Sequence, residues 1–358
     1  MSSPAIFLVA AIVLSALPLH GEPVEIAPSE FRGAIQPQVA VAPGGQIHVV
    51  FGKGTALYHA GSADGRRFTP PVKIGELEKL ALGMRRGPRI AATDQDLVVT
   101  AISHADGNLH AWTSQDNGST WHERPHVNDR AKSAIEGLQA LAGDGHGFVF
   151  ATWLDDREGG KQVWGASSPD GGQTWGANVL IYKSPDGPVC PCCHPSVAVD
   201  ATGRVAVMWR NALGGSRDFY LARSADRGKT FGAAEKLGSG TWKMNACPMD
   251  GGSLAIGPKG EAETVWRRER TIFASVGATE QRLSAAGAQP LVLYTKRGAS
   301  FLWESDGALM SGQNPGSPTR FAEHAHMAAG APLPDGRAIV VWESTAGPAP
   351  SLVADFLP

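Results

Sequence analysis

The 358-residue chain carries little charge. Asp, Glu, Lys and Arg together make up 18% of it, the formal net charge is −2, and no basic run stands out, which argues against nucleic acid as a partner. Beyond the first residues, no apolar segment reaches the ~20 residues that a helix needs to cross a bilayer, so no membrane span is expected. Tyrosine is scarce: four residues against ten tryptophans. What the chain does have is punctuation. Its 44 glycines and 25 prolines suit many short strands joined by tight turns better than long helices. An apolar content of 42% marks a chain that folds rather than one that stays disordered.

Ala5 to Leu17 is almost wholly apolar, broken only by Ser15, and is followed by Pro18, Gly21 and Glu22. That is the length of a signal-peptide core, although Met1 to Pro4 carries no Lys or Arg and a buried first strand is the competing reading. The expectation is a leader over 1–21 and a mature protein over 22–358, periplasmic or secreted. No cysteine lies near the cleavage region, so no lipid anchor is expected.

Internal repeats organise the rest. Ser114-Gln115-Asp116-Asn117-Gly118-Ser119-Thr120-Trp121 reads S-x-D-x-G-x-T-W. Ser168 to Trp175 repeats it, Ser224 to Phe231 repeats it with a terminal Phe, and Ser62 to Phe68 is a decayed copy. The starts at 62, 114, 168 and 224 give periods of 52, 54 and 56. This motif resembles the Asp-box, or bacterial neuraminidase repeat, and the chain is similar to sialidase-like β-propellers; Cys190-Pro191-Cys192-Cys193 together with Trp242-x-x-x-Ala246-Cys247-Pro248 further resembles an exported bacterial branch of them with a Cys-x-Cys-Cys motif. Its Ser, Asp and Gly are turn residues, with Gly supplying a positive φ, and so build blades rather than catalyse. Alternating apolar runs end at Phe51, Ile102, Trp153, Trp209, Trp266 and Trp342, each after a short turn, which is the inner hairpin of a blade. The quotient (358 − 21)/54 is about 6.2. The expected fold is therefore an all-β, six-bladed propeller, with seven blades possible because Trp303 lies in an additional strand-like run, Ala299 to Glu304.

In a propeller, the segments that lead into the inner strands share one mouth of the central channel, and loops on a rigid scaffold are where sites are built. Those segments hold Cys190, Cys192, Cys193 and His194 in one blade, Cys247, Met249 and Asp250 in the next, and Glu323, His324, His326 and Met327 in the last; earlier blades bring Arg32, Arg85, Arg86 and Glu136. Counting back 19 residues from Trp209 and from Trp266 gives Cys190 and Cys247, so the two share a register. Three readings of the cysteines stand side by side. Four cysteines in an oxidising compartment suit disulfides, with Cys190–Cys247 as a staple between blades. Thiolate, imidazole and thioether together, from Cys190, Cys192, Cys193, His194, Cys247, Met249, His324 and His326, suit copper, or zinc if only sulfur and imidazole bind. Cys190 to His194 also satisfies the C-x-x-C-H pattern of haem attachment.

The resemblance implies a sialidase site: an arginine triad, a Tyr–Glu nucleophile pair and an Asp acid. Here Ile35-Gln36-Pro37 stands where the first arginine is expected, and Arg86-Gly87-Pro88 has that spacing one blade later. Tyr294, with Glu304 or Glu343, is the candidate nucleophile pair, and Asp64 and Asp106 are candidate acids. Asp155 to Glu158 reads as an exposed hairpin end, and the histidines at 48, 59, 104, 110, 122, 126 and 146 read one by one as surface or satisfied residues. The expectation is a monomeric binding or metal-handling protein with a small-molecule, glycan or metal ligand at the mouth, the alternative being an exo-α-sialidase-type glycoside hydrolase.

Overall fold

The computed structural model describes residues 22–276, 279–313 and 318–357, so the leader expected over 1–21 lies outside the described residues. The described residues form seven four-stranded antiparallel sheets, and their only helical turns are two short 3-10 segments, Ser29–Phe31 and Leu213–Gly215. Each sheet is one blade of a propeller. The inner strands, blades 1 to 7, are Ile35–Val41, Arg89–Ala92, Gln139–Gly143, Ser196–Val199, Ser253–Ile256, Ala288–Thr295 and Ala325–Pro332. Blade 7 takes its outer strand from the other end of the chain: Val24–Glu25 pairs with Ser351–Leu357 and closes the ring.

The blade number is seven, the count left open beside six, and the spacing of the inner strands explains why the repeat period favours six. From blade 1 to blade 5 the starts are 54, 50, 57 and 57 residues apart; from blade 5 to 6 and from 6 to 7 they are only 35 and 37 apart (288 − 253 and 325 − 288). Blade 6, which contains Trp303, is the one that dividing by 54 misses.

The repeated turn sits between the third and fourth strands of blades 2, 3 and 4. In blade 2, Ser114 Oγ accepts from the Gly118 amide (2.9 Å), and Asp116 accepts from the amide and hydroxyl of Thr120 (2.9 and 2.6 Å). The turn's glycine faces the preceding blade. Gly118 has φ 85°, and a Cβ there would lie 2.1 Å from the His59 ring; Gly228, with φ 75°, would meet Phe150 at 2.2 Å. A side chain at either position would drive adjacent blades apart, so these glycines set the blade spacing as well as the turn. The core lies between blades, where Trp153, Trp209 and Trp342 are fully buried.

Blade 1 buries an uncompensated histidine pair. His48 Nδ1 and His59 Nε2 are 3.1 Å apart, at 0% and 2% exposure. Burial pulls His48 down to about 4, and burial together with His48 pulls His59 down to about 3. Between these values and the usual 6.5 the unfolded chain binds protons that the folded one does not, so the pair's contribution to stability is lost as pH falls through that window. We expect the urea midpoint to drop between pH 6.5 and 4, with a loss from the two rings on the order of a few kcal/mol. Replacing His59 by Phe should flatten that slope; an unchanged slope would show that the pair is not its source.

Candidate functional site

One register position places most of the charge at the mouth. The second strands of blades 4 to 7 bring Arg210, Arg267, Glu304 and Glu343 to equivalent places at the same end of the channel. Facing them, the inner strands of blades 1, 6 and 7 each carry a bulge with a left-handed residue, Gln36 (φ 60°), Gln289 (φ 49°) and Met327 (φ 51°). The bulge turns the backbone amide toward the preceding blade. Gln36 N donates to Glu343 Oε1 (2.8 Å), Met327 N to Glu304 Oε1 (2.7 Å) and Gln289 N to Asp250 Oδ2 (3.1 Å). Three carboxylates are thus fixed by the same device.

Arg85, from the segment leading into blade 2, reaches across the mouth to blades 6 and 7. It donates from Nε to Gln289 Oε1 (2.8 Å) and from Nη1 to Ala328 O (2.7 Å), and its Nη2 lies 3.8 Å from Glu304 Oε1. Arg89 folds back on the chain, donating to the carbonyls of Arg85, Arg86, Gly87 and Pro88. Arg210 is 1% exposed, lies over the Phe219 and Trp242 rings, and among the described residues donates only to carbonyls, those of Arg217, Asp250 and Arg267. Below Arg85 is a cavity of about 150 Å³ lined by Arg89, His194, Ser196 and Ser253. Deeper still, seven alanines and Tyr294 surround about 350 Å³ more.

These buried cations set the protonation of their neighbours. Burial, with Arg85 and Arg89, pulls His194 down to about 3, so its imidazole is neutral. Burial and the nearby Arg85 lower Arg89 to about 9. Burial pushes Asp250 up to about 6 against the pull of Arg267, whose Nε lies 2.9 Å from Asp250 Oδ2. Burial also raises Glu343. The other oxygen of Asp250, Oδ1, is buried with no hydrogen-bond partner among the described residues.

Beside Arg210 the segment leading into blade 4 folds three cysteines together. Cys190 N donates to Arg210 O (3.1 Å), which turns Cys190 inward. Its Sγ lies 3.6 Å from Cys192 Sγ and 3.7 Å from Cys193 Sγ, and all three sulfurs fall within 4.8 Å of one another. Cys190 and Cys193 are buried and Cys192 is half-buried. These separations are far longer than a disulfide's ~2.05 Å. Sulfurs that share one tetrahedral ion at ~2.3 Å stand about 3.8 Å apart, close to what is seen. Burial opposes charge on Cys193, but the S–H contacts of Cys190 and Cys192 and the Arg210 cation hold it well below the ordinary thiol value. Cys192 is raised by its two sulfur neighbours; Cys190 is drawn down by Cys192, but Cys193 and burial prevail and push it up to about 12. Of the three thiols, Cys193 is the one whose ionisation its surroundings favour.

The other expected ligands do not join this cluster. Cys247 is exposed and unpaired, so the staple to Cys190 is not formed. Met249 is 41% exposed, and its carbonyl accepts from Gln289 Nε2. His324 is exposed with φ 53°, one residue before the strand begins, so it does not share a face with His326. His326 lies at the mouth, 3.3 Å from Glu304. His194 lies against Gly251, facing the channel.

The expected sialidase set is not assembled either. Tyr294 stands beside the turn of the blade 6 hairpin, paired with Ala299, whereas Glu304 is at the opposite end, paired with Ala288; no Tyr–Glu pair forms, with Glu343 or with Glu304. Arg86 is drawn aside to Glu136 (3.1 Å), and Arg85 takes the central place. Asp64 caps a turn through the amides of Arg66 and Arg67. Asp155 is no exposed hairpin end: it is fully buried, bound by Arg157, Ser133 and the Trp153 indole. Arg210 is legible in the sequence only as the residue after the register tryptophan Trp209, whereas Arg267 also opens the charged run Arg267 to Arg270, which reads as solvated or as part of the rim.

No family model matches the sequence, and no curated protein sequence matches it. Solved structures do. The α-L-arabinofuranosidase Arb93A from Fusarium graminearum aligns over 94% of this chain and 98% of its own, at 12% identity and a TM-score of 0.53. The Aleuria aurantia lectin aligns over 84% and 96%, at 13% identity and 0.54. The sialidase NanB aligns over 93% and 70%, at 10% identity and 0.54. At such identities the likeness is one of fold, the β-propeller.

Arg85 ties the mouth together. Replacing it by Met should cost about 3–5 kcal/mol, the usual cost of removing one partner from a buried charged network. Arg85→Lys should recover only part, since one ammonium cannot reproduce the fork that reaches Gln289 and Ala328. Denaturant unfolding decides: a loss under about 0.5 kcal/mol in Arg85→Met would mean that the guanidinium is not structural.

Proposed function

We propose that this chain is an exported, monomeric binding propeller that holds a soft metal ion, cuprous copper, at Cys190, Cys192 and Cys193 on the rim of its channel mouth. The single observation that carries this reading is the sulfur geometry: three thiols with the spacing of ligands to one ion, gathered by a loop whose backbone is tied to Arg210. Soft thiolates favour copper(I) over magnesium or calcium, and over zinc when fewer than four donors are offered. Arg210, a buried cation that donates only to carbonyls among the described residues, offsets the negative charge of the bound thiolates. The half-buried Cys192 leaves one side from which an ion can be delivered or withdrawn. Binding replaces thiol protons, so affinity should rise with pH.

A second reading, glycoside hydrolysis, rests on Asp250. A carboxyl group near pH 6 with one oxygen unpartnered has the properties of a general acid, and propellers of this shape include an arabinofuranosidase and a fucose-binding lectin. Against it stand the missing first arginine at Ile35 and the distant Tyr294.

Protein prepared without oxidation should bind one cuprous ion per chain in competition with a colorimetric chelator. Cys193→Ser should weaken binding on the order of 100-fold. The same preparation should release no sugar from aryl sialosides or arabinofuranosides. Equal copper affinity in Cys193→Ser would refute the metal reading, and turnover abolished by Asp250→Asn would establish the second.

A further inference from the structure

The outer strands of blade 2 gather residues that single-residue reading treats as unremarkable. Asp106 lies in the turn before the strand Leu109–Ser114, His110 lies on that strand, and His126 lies just beyond the outer strand His122–Arg124. A carboxylate oxygen of Asp106 and a ring nitrogen from each histidine fall within 4.8 Å of one another.

The cluster is held ready. Asp106 Oδ1 accepts from the Asn108 amide (2.9 Å), which leaves Oδ2 aimed at His110 Nε2, 2.8 Å away. The two residues after His126 are pinned to the same strand: Val127 N donates to Leu109 O, and Asn128 accepts from Leu109 N while donating to Asn108 Oδ1. The His110 and His126 rings meet at 4.5 Å, edge to face. A second, independent observation points to a ligand. His110 is only 7% exposed, and its Nδ1 is buried with no hydrogen-bond partner among the described residues, although Glu123 Oε1 stands 3.5 Å off. A buried polar atom without a partner is costly, and a ligand that fixes the ring's tautomer would relieve it. Each nitrogen of His110 faces a carboxylate, so whichever takes an ion, the other has the orienting partner that metal-bound histidines regularly keep.

We infer that Asp106, His110 and His126 form a site for a borderline divalent cation of the zinc class, with Glu123 beside it. Two imidazoles and a carboxylate are the donor set that such ions prefer, and they differ in kind from the three thiols at the mouth. Asp106, Glu123 and His126 are at the surface, so the ion has a path in and open positions for water. Bound there, it would tie the turn before the third strand to the loop after the fourth.

The test titrates the full chain with cobalt(II), which reports its donors by colour. Subtracting the spectrum of His126→Ala from that of the parent should leave a visible ligand-field band without the near-ultraviolet sulfur-to-cobalt transition that thiolates give. Zinc analysis should show one equivalent fewer in His126→Ala, and Asp106→Asn should weaken cobalt binding on the order of 10- to 100-fold. His126 is exposed, so its removal leaves the core intact. A parent-minus-variant spectrum with no cobalt band, or one dominated by the sulfur transition, would overturn the site, as would equal zinc content in the two proteins.

Discussion

A guanidinium group taken out of water must find acceptors, and the mouth of this propeller is arranged around three that have done so mainly on backbone carbonyls. Arg85, Arg89 and Arg210 are each at least nine-tenths buried. Because carbonyls satisfy hydrogen bonds without cancelling charge, the region keeps a positive field. Burial together with that field lowers His194, the Arg210 cation helps to hold Cys193 below the ordinary thiol value, and Arg85 opposes the rise that burial imposes on the half-buried Glu343. Arg85 does this mechanically as well, since it joins the segment before blade 2 to blades 6 and 7 across the axis.

The ring of blades is nearly symmetric, and the site arises where the symmetry is broken. At the shared position on the second strand, blades 1 and 3 supply Gly52 and Leu154, while blades 4 to 7 supply two arginines and then two glutamates. Bulges in blades 6, 7 and 1 give each carboxylate an amide to hold it. Charge at this second-strand position is thus confined to blades 4 to 7, and the cysteine cluster stands at its arginine edge.

Much of this fold is legible in the sequence because the turn motif is local chemistry: Ser, Asp, Gly and Thr at fixed offsets bond to one another wherever they occur. Blade 6 escapes the period because the links on either side of it are short: three residues part Ser284 from Ala288 and one parts Glu323 from Ala325, where the links into blades 2 to 5 take twelve to sixteen. The cysteine register is also legible, but register does not determine burial. Cys190 and Cys247 occupy equivalent positions, yet only Cys190 is folded inward, by its bond to Arg210 O. The His324–His326 pairing fails for a similar reason: alternation holds only inside a strand, and His324 is left-handed just before one. Arg85 and Arg86 are indistinguishable in sequence, and only the third dimension shows which one crosses the channel. Asp106, His110 and His126 escape any residue-by-residue reading because two of the four strands of blade 2 and the loops beyond them must pair before the three meet.

The central claim is that Cys190, Cys192 and Cys193 hold one soft ion together. X-ray absorption at the copper edge of the cuprous-loaded protein tests it most directly. The account predicts a first shell of three sulfurs at about 2.3 Å and no nitrogen or oxygen of comparable weight. A shell dominated by nitrogen or oxygen, or sulfurs oxidised to a disulfide while copper sits elsewhere, would contradict it.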